Sequence, residues 1–217
     1  MQRCFLLIFV SIVFVLPLRA QNAVGIFAGP QASSAMYSIR HHDQAVEKKY
    51  GLQAGLTMKV PLEGIIYFTP ALYYSTKGYK VTFTEPSVLP SEFAKNNDTR
   101  IHTVDAALLL NFDLGKSISH LFLQIGPALE FAIAGREKFD LNNGQSVDQK
   151  MQFSFTEYGF VTASGVLHLG YEFKDGLFLF GHYEHGLSNI SNADNGPNIR
   201  HRTFGVSIGK YFRKHKG

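Results

Sequence analysis

The stretch IHTVDAALLLNFDL, residues 101–114, decides the fold class. Read with a period of two, it sets His102, Val104, Ala106, Leu108, Leu110, Phe112 and Leu114 on one face. Thr103, Asp105, Ala107, Leu109, Asn111 and Asp113 fall on the other. Successive side chains of a β-strand point to opposite faces, so this is a strand between two different environments. Its length exceeds the roughly 9–11 residues that a tilted strand needs to cross a bilayer.

Working outward, the pattern recurs. Residues 121–133 set Leu121, Leu123, Ile125, Leu129, Phe131 and Ile133 against Gln124, Gly126, Glu130 and small residues. Tyr50–Val60 alternates in the same way, as do 157–173, with Val161, Leu167, Leu169, Tyr171 and Phe173 outermost, and 202–212, with Phe204, Val206, Ile208 and Phe212. Weaker segments near 23–36, 65–80 and 177–187 bring the expected total to eight strands. Connectors near 61–64, 115–119 and 174–176 are short, whereas those near 38–48, 82–99, 137–156 and 188–200 are long and polar. Short turns at one end and long loops at the other describe an all-β, eight-stranded antiparallel up-and-down barrel of the transmembrane type.

Composition agrees. With 217 residues, 45% hydrophobic and 18% charged, the chain is too apolar for disorder. Twenty Gly, nineteen Phe and ten Tyr beside one Cys and no Trp exclude a disulfide scaffold. A net charge of +4 is too small and too scattered along the chain to argue for nucleic acid, and no nucleic-acid partner is expected. Met1-Gln2-Arg3, the apolar run Cys4–Leu18 and Arg19-Ala20 read as a secretory signal peptide over 1–20, leaving 21–217 as the barrel domain. Cleavage would remove the only cysteine, so thiol chemistry is not expected.

Parity specifies two turns. An even pairing sum of 126 joins Pro61 to Ile65 around Leu62-Glu63-Gly64, and a sum of 350 joins Phe173 to Leu177 around Lys174-Asp175-Gly176. Both place Gly at the left-handed position of a three-residue hairpin loop. The lipid-facing residues are then Leu108, Leu110, Leu123, Leu129, Leu167, Leu169, Val206 and Ile208. A soluble barrel would invert the faces, but the export signal and the uncharged aliphatic bands favour a lipid-facing exterior.

The inner face supplies the candidate chemistry: a polar cluster of Asp105, Glu130, His168, His182 and Glu184. His168 and His182 fall opposite each other at a sum of 350, with Glu184 on the same face, a donor set a transition metal could use. Hydrogen bonding within a polar core explains the same residues, and no metal or cofactor is expected. Asp105 and Glu130 could divide acid and base roles, but Lys59, Lys77 and Arg200 are available to pair with them. Ser164 and His168 lie four residues apart on one strand, about 13 Å, beyond hydrogen-bond reach. His102 has no evident serine partner, so no catalytic residue is expected. Tyr67, Tyr73, Leu109, Tyr158, Phe160 and Phe180 join the inward set and fill the lumen, which argues against an open pore.

The chain resembles the PorT-like outer-membrane β-barrel family of Bacteroidota. The resemblance rests on Pro70–Tyr79 (PALYYSTKGY), Ala107–Phe112 (ALLLNF), Gly126–Glu130 (GPALE), Gly186–Ile190 (GLSNI) and Phe204–Phe212. Ala71 stands where members often carry an acid, and Arg213–Gly217 extends past the closing aromatic. The resemblance implies an integral protein of the cell outer membrane with periplasmic termini. Its expected partners are outer-membrane lipids, the barrel-assembly machinery and other outer-membrane or secretion proteins. A structural or accessory role exerted through the loops is the leading expectation. A lipid A deacylase-like enzyme and a type IX secretion accessory are the alternatives.

Overall fold

A computed structural model describes residues 22–115 and 117–212. The expected signal peptide lies outside the described residues. Among the described residues ten antiparallel strands follow in order: β1 (Ala23–Ile39), β2 (His42–Asp43), β3 (Ala45–Glu63), β4 (Ile66–Thr82), β5 (Asn96–Leu114), β6 (His120–Asp140), β7 (Ser146–Lys150), β8 (Val161–Glu172), β9 (Leu177–Gly186) and β10 (Asn198–Phe212). Eight are long. β2 is a short return at the tip of β1, and β7 pairs only with β6. Pairing of β10 with β1, from Val24↔Phe212 to Ser38↔Asn198, closes the ring of eight.

The alternation read from the sequence is the alternation of exposure. On β5, Leu108 is 55% exposed and Leu109 1%. Leu110, Leu129, Leu167, Leu169, Val206 and Ile208 are exposed on the outer wall, and Leu123 is half-buried there. The pairing sum of 350 between β8 and β9 holds throughout, His168 opposite His182. Their turn closes with Gly176 N–H donating to Phe173 O at 2.9 Å and Phe173 N–H donating to Leu177 O at 2.8 Å. Gly176 has φ +81°, the left-handed conformation that glycine adopts without steric cost.

The β3–β4 turn departs from expectation. The strands pair at a sum of 128, Pro61 opposite Tyr67, and a bulge at Leu62 lets Glu63 face Ile66 across Gly64-Ile65. The even parity is kept, so the faces are unchanged; the bulge, which a parity count cannot see, takes up the extra residue. Residues 38–48 were expected to form a long loop but are mostly strand, with Arg40 and His41 at positive φ making the turn. β5, starting at Asn96, and β6, ending at Asp140, also run well past the predicted ends. At Ile133 a bulge inserts one residue into β6 and reverses its parity, so Glu137 and Phe139 face inward and Arg136 and Lys138 outward. Above this point β8 has not begun, and β7 takes its place beside β6.

Two apolar clusters fill the interior. Phe27, Tyr73, Leu109, Phe122, Phe178, Phe180 and Tyr211 pack midway along the barrel. Gly170 leaves room for the Phe122 ring against bare backbone. Tyr37, Tyr79, Val81, Ile101, Met151, Tyr158, Ile190 and Ile199 form a second cluster at the long-loop end. Phe160 does not join them: it precedes β8, outside the alternating pattern, and is 50% exposed. Arg200 shares the outward parity of Arg202 and Phe204, and His201 takes the inward position beside it.

Candidate functional site

Every member of the predicted interior cluster is buried, but the five do not form one site. Lys77, from β4, gathers the three acids. Its Nζ lies 3.1 Å from Asp105 on β5 and 2.9 Å from Glu130 on β6, and it also binds Glu184 on β9. In the ring of eight, β4 and β9 are diametrically opposed, so the Lys77–Glu184 pair spans the lumen. Tyr73 adds its hydroxyl, 3.5 Å from Glu184. Lys77 was among the expected basic partners; Arg200, facing outward, is not one.

The two histidines stand apart from this cluster. Their ring centroids are 6.1 Å apart, and each directs Nδ1 to an amide. His168 Nδ1–H donates to Gln124 Oε1 at 2.8 Å, while His182 Nδ1 accepts from Gln53 Nε2 at 3.2 Å. Opposite demands on the same ring atom assign opposite tautomers to the pair.

A second charge cluster, not anticipated as a unit, occupies the short-turn end. Lys59 Nζ on β3 lies 2.7 Å from Asp113 on β5 and 2.8 Å from Glu172 on β8, again across the full ring. His120 Nε2 approaches Asp113 at 3.1 Å. Asp113, His120 and Glu172 hold their ligand atoms within 4.8 Å of one another, a spacing a metal could use. The Lys59 ammonium already supplies a cation between the two carboxylates. Asp113 and Glu172 lie on the inner face that the alternation gives; His120 follows the 115–119 connector, and only the fold brings it to them.

Above the Lys77 cluster, Glu137 is buried among neutral donors: Asn97 at 3.1 Å, Tyr158 at 2.8 Å and Gln149 at 2.9 Å. Burial and the neighbouring Tyr79 and Glu137 push the Tyr158 hydroxyl well above its ordinary range. Beyond it, three loops enclose a cleft of about 600 Å³, lined among others by Leu89, Phe155, Glu157 and Asp194. Phe155 is 90% exposed at the rim.

The hydrolase alternative needs a nucleophile touching a base. Ser164 is fully buried and its hydroxyl has no hydrogen-bond partner among the described residues. His102, on the outer wall, meets the hydroxyl of Tyr74 and, among the described residues, no serine.

A family profile described as an outer membrane protein beta-barrel domain matches residues 19–192. Similar solved structures include Ail, the attachment invasion locus protein of Yersinia pestis, with 14% identity, 88% of this chain and 99% of that chain covered, and a TM-score of 0.46 in its complex with the heparin analogue sucrose octasulfate. Neisserial surface protein A has 13% identity, 86% and 97% coverage and a TM-score of 0.43. OprG of Pseudomonas aeruginosa has 11% identity, 89% and 98% coverage and a TM-score of 0.45. Nothing among curated proteins matches the chain.

Proposed function

The chain belongs to the outer membrane protein beta-barrel domain family, and from that premise we propose that it is a closed, non-catalytic outer-membrane barrel that acts through its loops. The observation that carries this reading is the pair of ion bridges across the full ring, Lys77–Glu184 and Lys59–Glu172, at two levels of the lumen. Eight strands enclose a space that side chains can just fill. Here apolar clusters occupy the levels between and above the bridges. A route for solute would have to break buried charge pairs. The long-loop end, with its cleft and the exposed Phe155, is then the surface on which a partner is met. The PorT-like motifs, Gly186–Ile190 among them, favour an accessory role beside a secretion complex as the more specific form of this reading.

Planar-bilayer recording of the refolded mature chain tests the closed lumen. No porin-sized steps are expected. Stable steps from the purified monomer would refute it. Affinity capture from native outer membranes, with and without the 151–160 loop, tests the loop surface: the reading requires partners that depend on that loop.

A further inference from the structure

The outer wall above the membrane carries a row of like charge. Cross-strand registers set Arg100 on β5 directly opposite Arg136 on β6, and Arg136 directly opposite Lys150 on β7. All three are exposed and share the outward face. Like charges opposite one another on a sheet destabilise it. The next row up shows the alternative, because Lys80, Asp98, Lys138 and Asp148 stand in that order across the same wall and alternate in sign. Acids available to the like-charged row are few. Asp148 accepts from Arg136 Nε at 2.7 Å. Asp98 is engaged by Lys49 and Lys80, and Asp140 accepts from Asn96 and Ser146. Two of the three cations therefore lack a countercharge among the described residues.

The height of the row identifies what could supply one. The outward apolar band of β5 runs from Val104 to Leu114. At about 3.3 Å per residue and a tilt near 40°, it rises roughly 25 Å, the height of the apolar band of an outer-membrane barrel. Arg100 lies four residues past its upper edge, roughly 10 Å above the acyl chains by the same rise. Arginine and lysine stems reach down several ångströms from there into the headgroup layer. The wall is continuous with the aliphatic band below it, so the molecules alongside are the lipids of the outer leaflet. This placement rests on the outer-membrane location and on the long loops facing outside the cell, and not on those loops meeting a partner.

We propose that Arg100, Arg136 and Lys150 form a binding site for the phosphate groups of a glycolipid of the outer leaflet. Adjacent strands space the backbones of neighbouring members of the row about 5 Å apart, so neighbouring cations can share one phosphate. Arg136, partly neutralised by Asp148, joins the other two, and arginine offers paired N–H donors to phosphate oxygens.

The test refolds the mature chain into phosphatidylcholine vesicles doped with either bis-phosphorylated lipid A or the same lipid stripped of both phosphates, and measures by mass spectrometry the lipid retained on the detergent-extracted barrel. Phosphorylated lipid is expected to be retained roughly 100-fold over the stripped form, about fivefold for each basic side chain. Together, Arg100→Gln, Arg136→Gln and Lys150→Gln should abolish the preference. The pair Lys80→Gln and Lys138→Gln, in the sign-alternating row, should leave it intact. Inorganic pyrophosphate added in excess should not displace the lipid; displacement would make the row a site for free phosphate and overturn the glycolipid assignment. Equal retention of the two lipids by the wild-type chain overturns the proposal even where the triple variant does not fold.

Discussion

Lys77→Met keeps the length of the side chain and removes the charge on which Asp105, Glu130 and Glu184 converge. At an effective dielectric near 20, each contact of about 3 Å corresponds to roughly 5–6 kcal/mol of attraction, most of it offset by desolvation and by repulsion among the acids. What the variant exposes is the cost of leaving acids buried without their cation, about 3–5 kcal/mol. The unfolding free energy of the vesicle-embedded barrel, from urea titration followed by tryptic resistance, should fall by that amount at an unchanged denaturant slope. Adding Asp105→Asn, Glu130→Gln and Glu184→Gln to Lys77→Met should restore more than half of the loss, since a neutral hydrogen-bonded layer can replace a buried ionic one. A Lys77→Met barrel that unfolds at the wild-type midpoint would refute the claim that the trans-lumen bridge holds the walls together.

Leu108→Arg places a charge in the middle of the outward band and should cost about 2–4 kcal/mol in the same titration; wild-type stability would reverse the inside–outside assignment. Gly176→Ala forces a side chain into the φ +81° position, with its Cβ 2.7 Å from Tyr211 O, and should cost about 1–2 kcal/mol; a neutral result would mean the turn relaxes freely. On the exposed upper part of β6, hydrogen bonds from Asn96 and Ser146 hold the Asp140 carboxyl below the usual aspartate range. Its stabilising contribution is therefore present at neutral pH and lost as pH falls through that lowered value. Asn96→Ala should move the Asp140 titration, followed by carboxyl carbon NMR, upward towards an ordinary aspartate; an unmoved curve would dismiss the Asn96 bond as the cause.

The membrane part of the fold was legible because lipid imposes a period of two on every strand. Leu108 and Leu109 differ in exposure as the alternation of 101–114 requires, and the β8–β9 register followed from parity and one glycine. Above the membrane that constraint ends. The Ile133 bulge reverses the meaning of odd and even, so Glu137 and Arg136 could not be sided from sequence. Met151 and Ile190 sit in segments whose polar neighbours disguised an apolar cluster, although Tyr158 beside them was read as inward. Phe160 is misplaced by extending the parity of β8 past the point where the strand begins, whereas Arg200 follows the outward parity of its own strand and is sided wrongly only when read as an interior base. In the lumen, Lys77 and the acids Asp105 and Glu130 could be matched as inward charges. That Lys59 would choose Asp113 and Glu172 depends on which strands face each other across the ring, which strand-by-strand periodicity does not contain.

The β1–β10 seam has a kinetic consequence. Each other pairing in the ring joins strands that are neighbours in the chain or separated only by a short excursion, so the sheet can zip up from hairpins whose closure costs little entropy. The seam instead joins Val24 to Phe212; a free chain of roughly 200 residues would pay about 4–5 kcal/mol for that encounter. The order of events follows. The curved sheet must form first and carry its own edges together, and until it does, both edges remain open to a foreign strand. The rate of productive insertion is then governed by how fast one seam finds its register, and crowding of half-built sheets competes directly with that step.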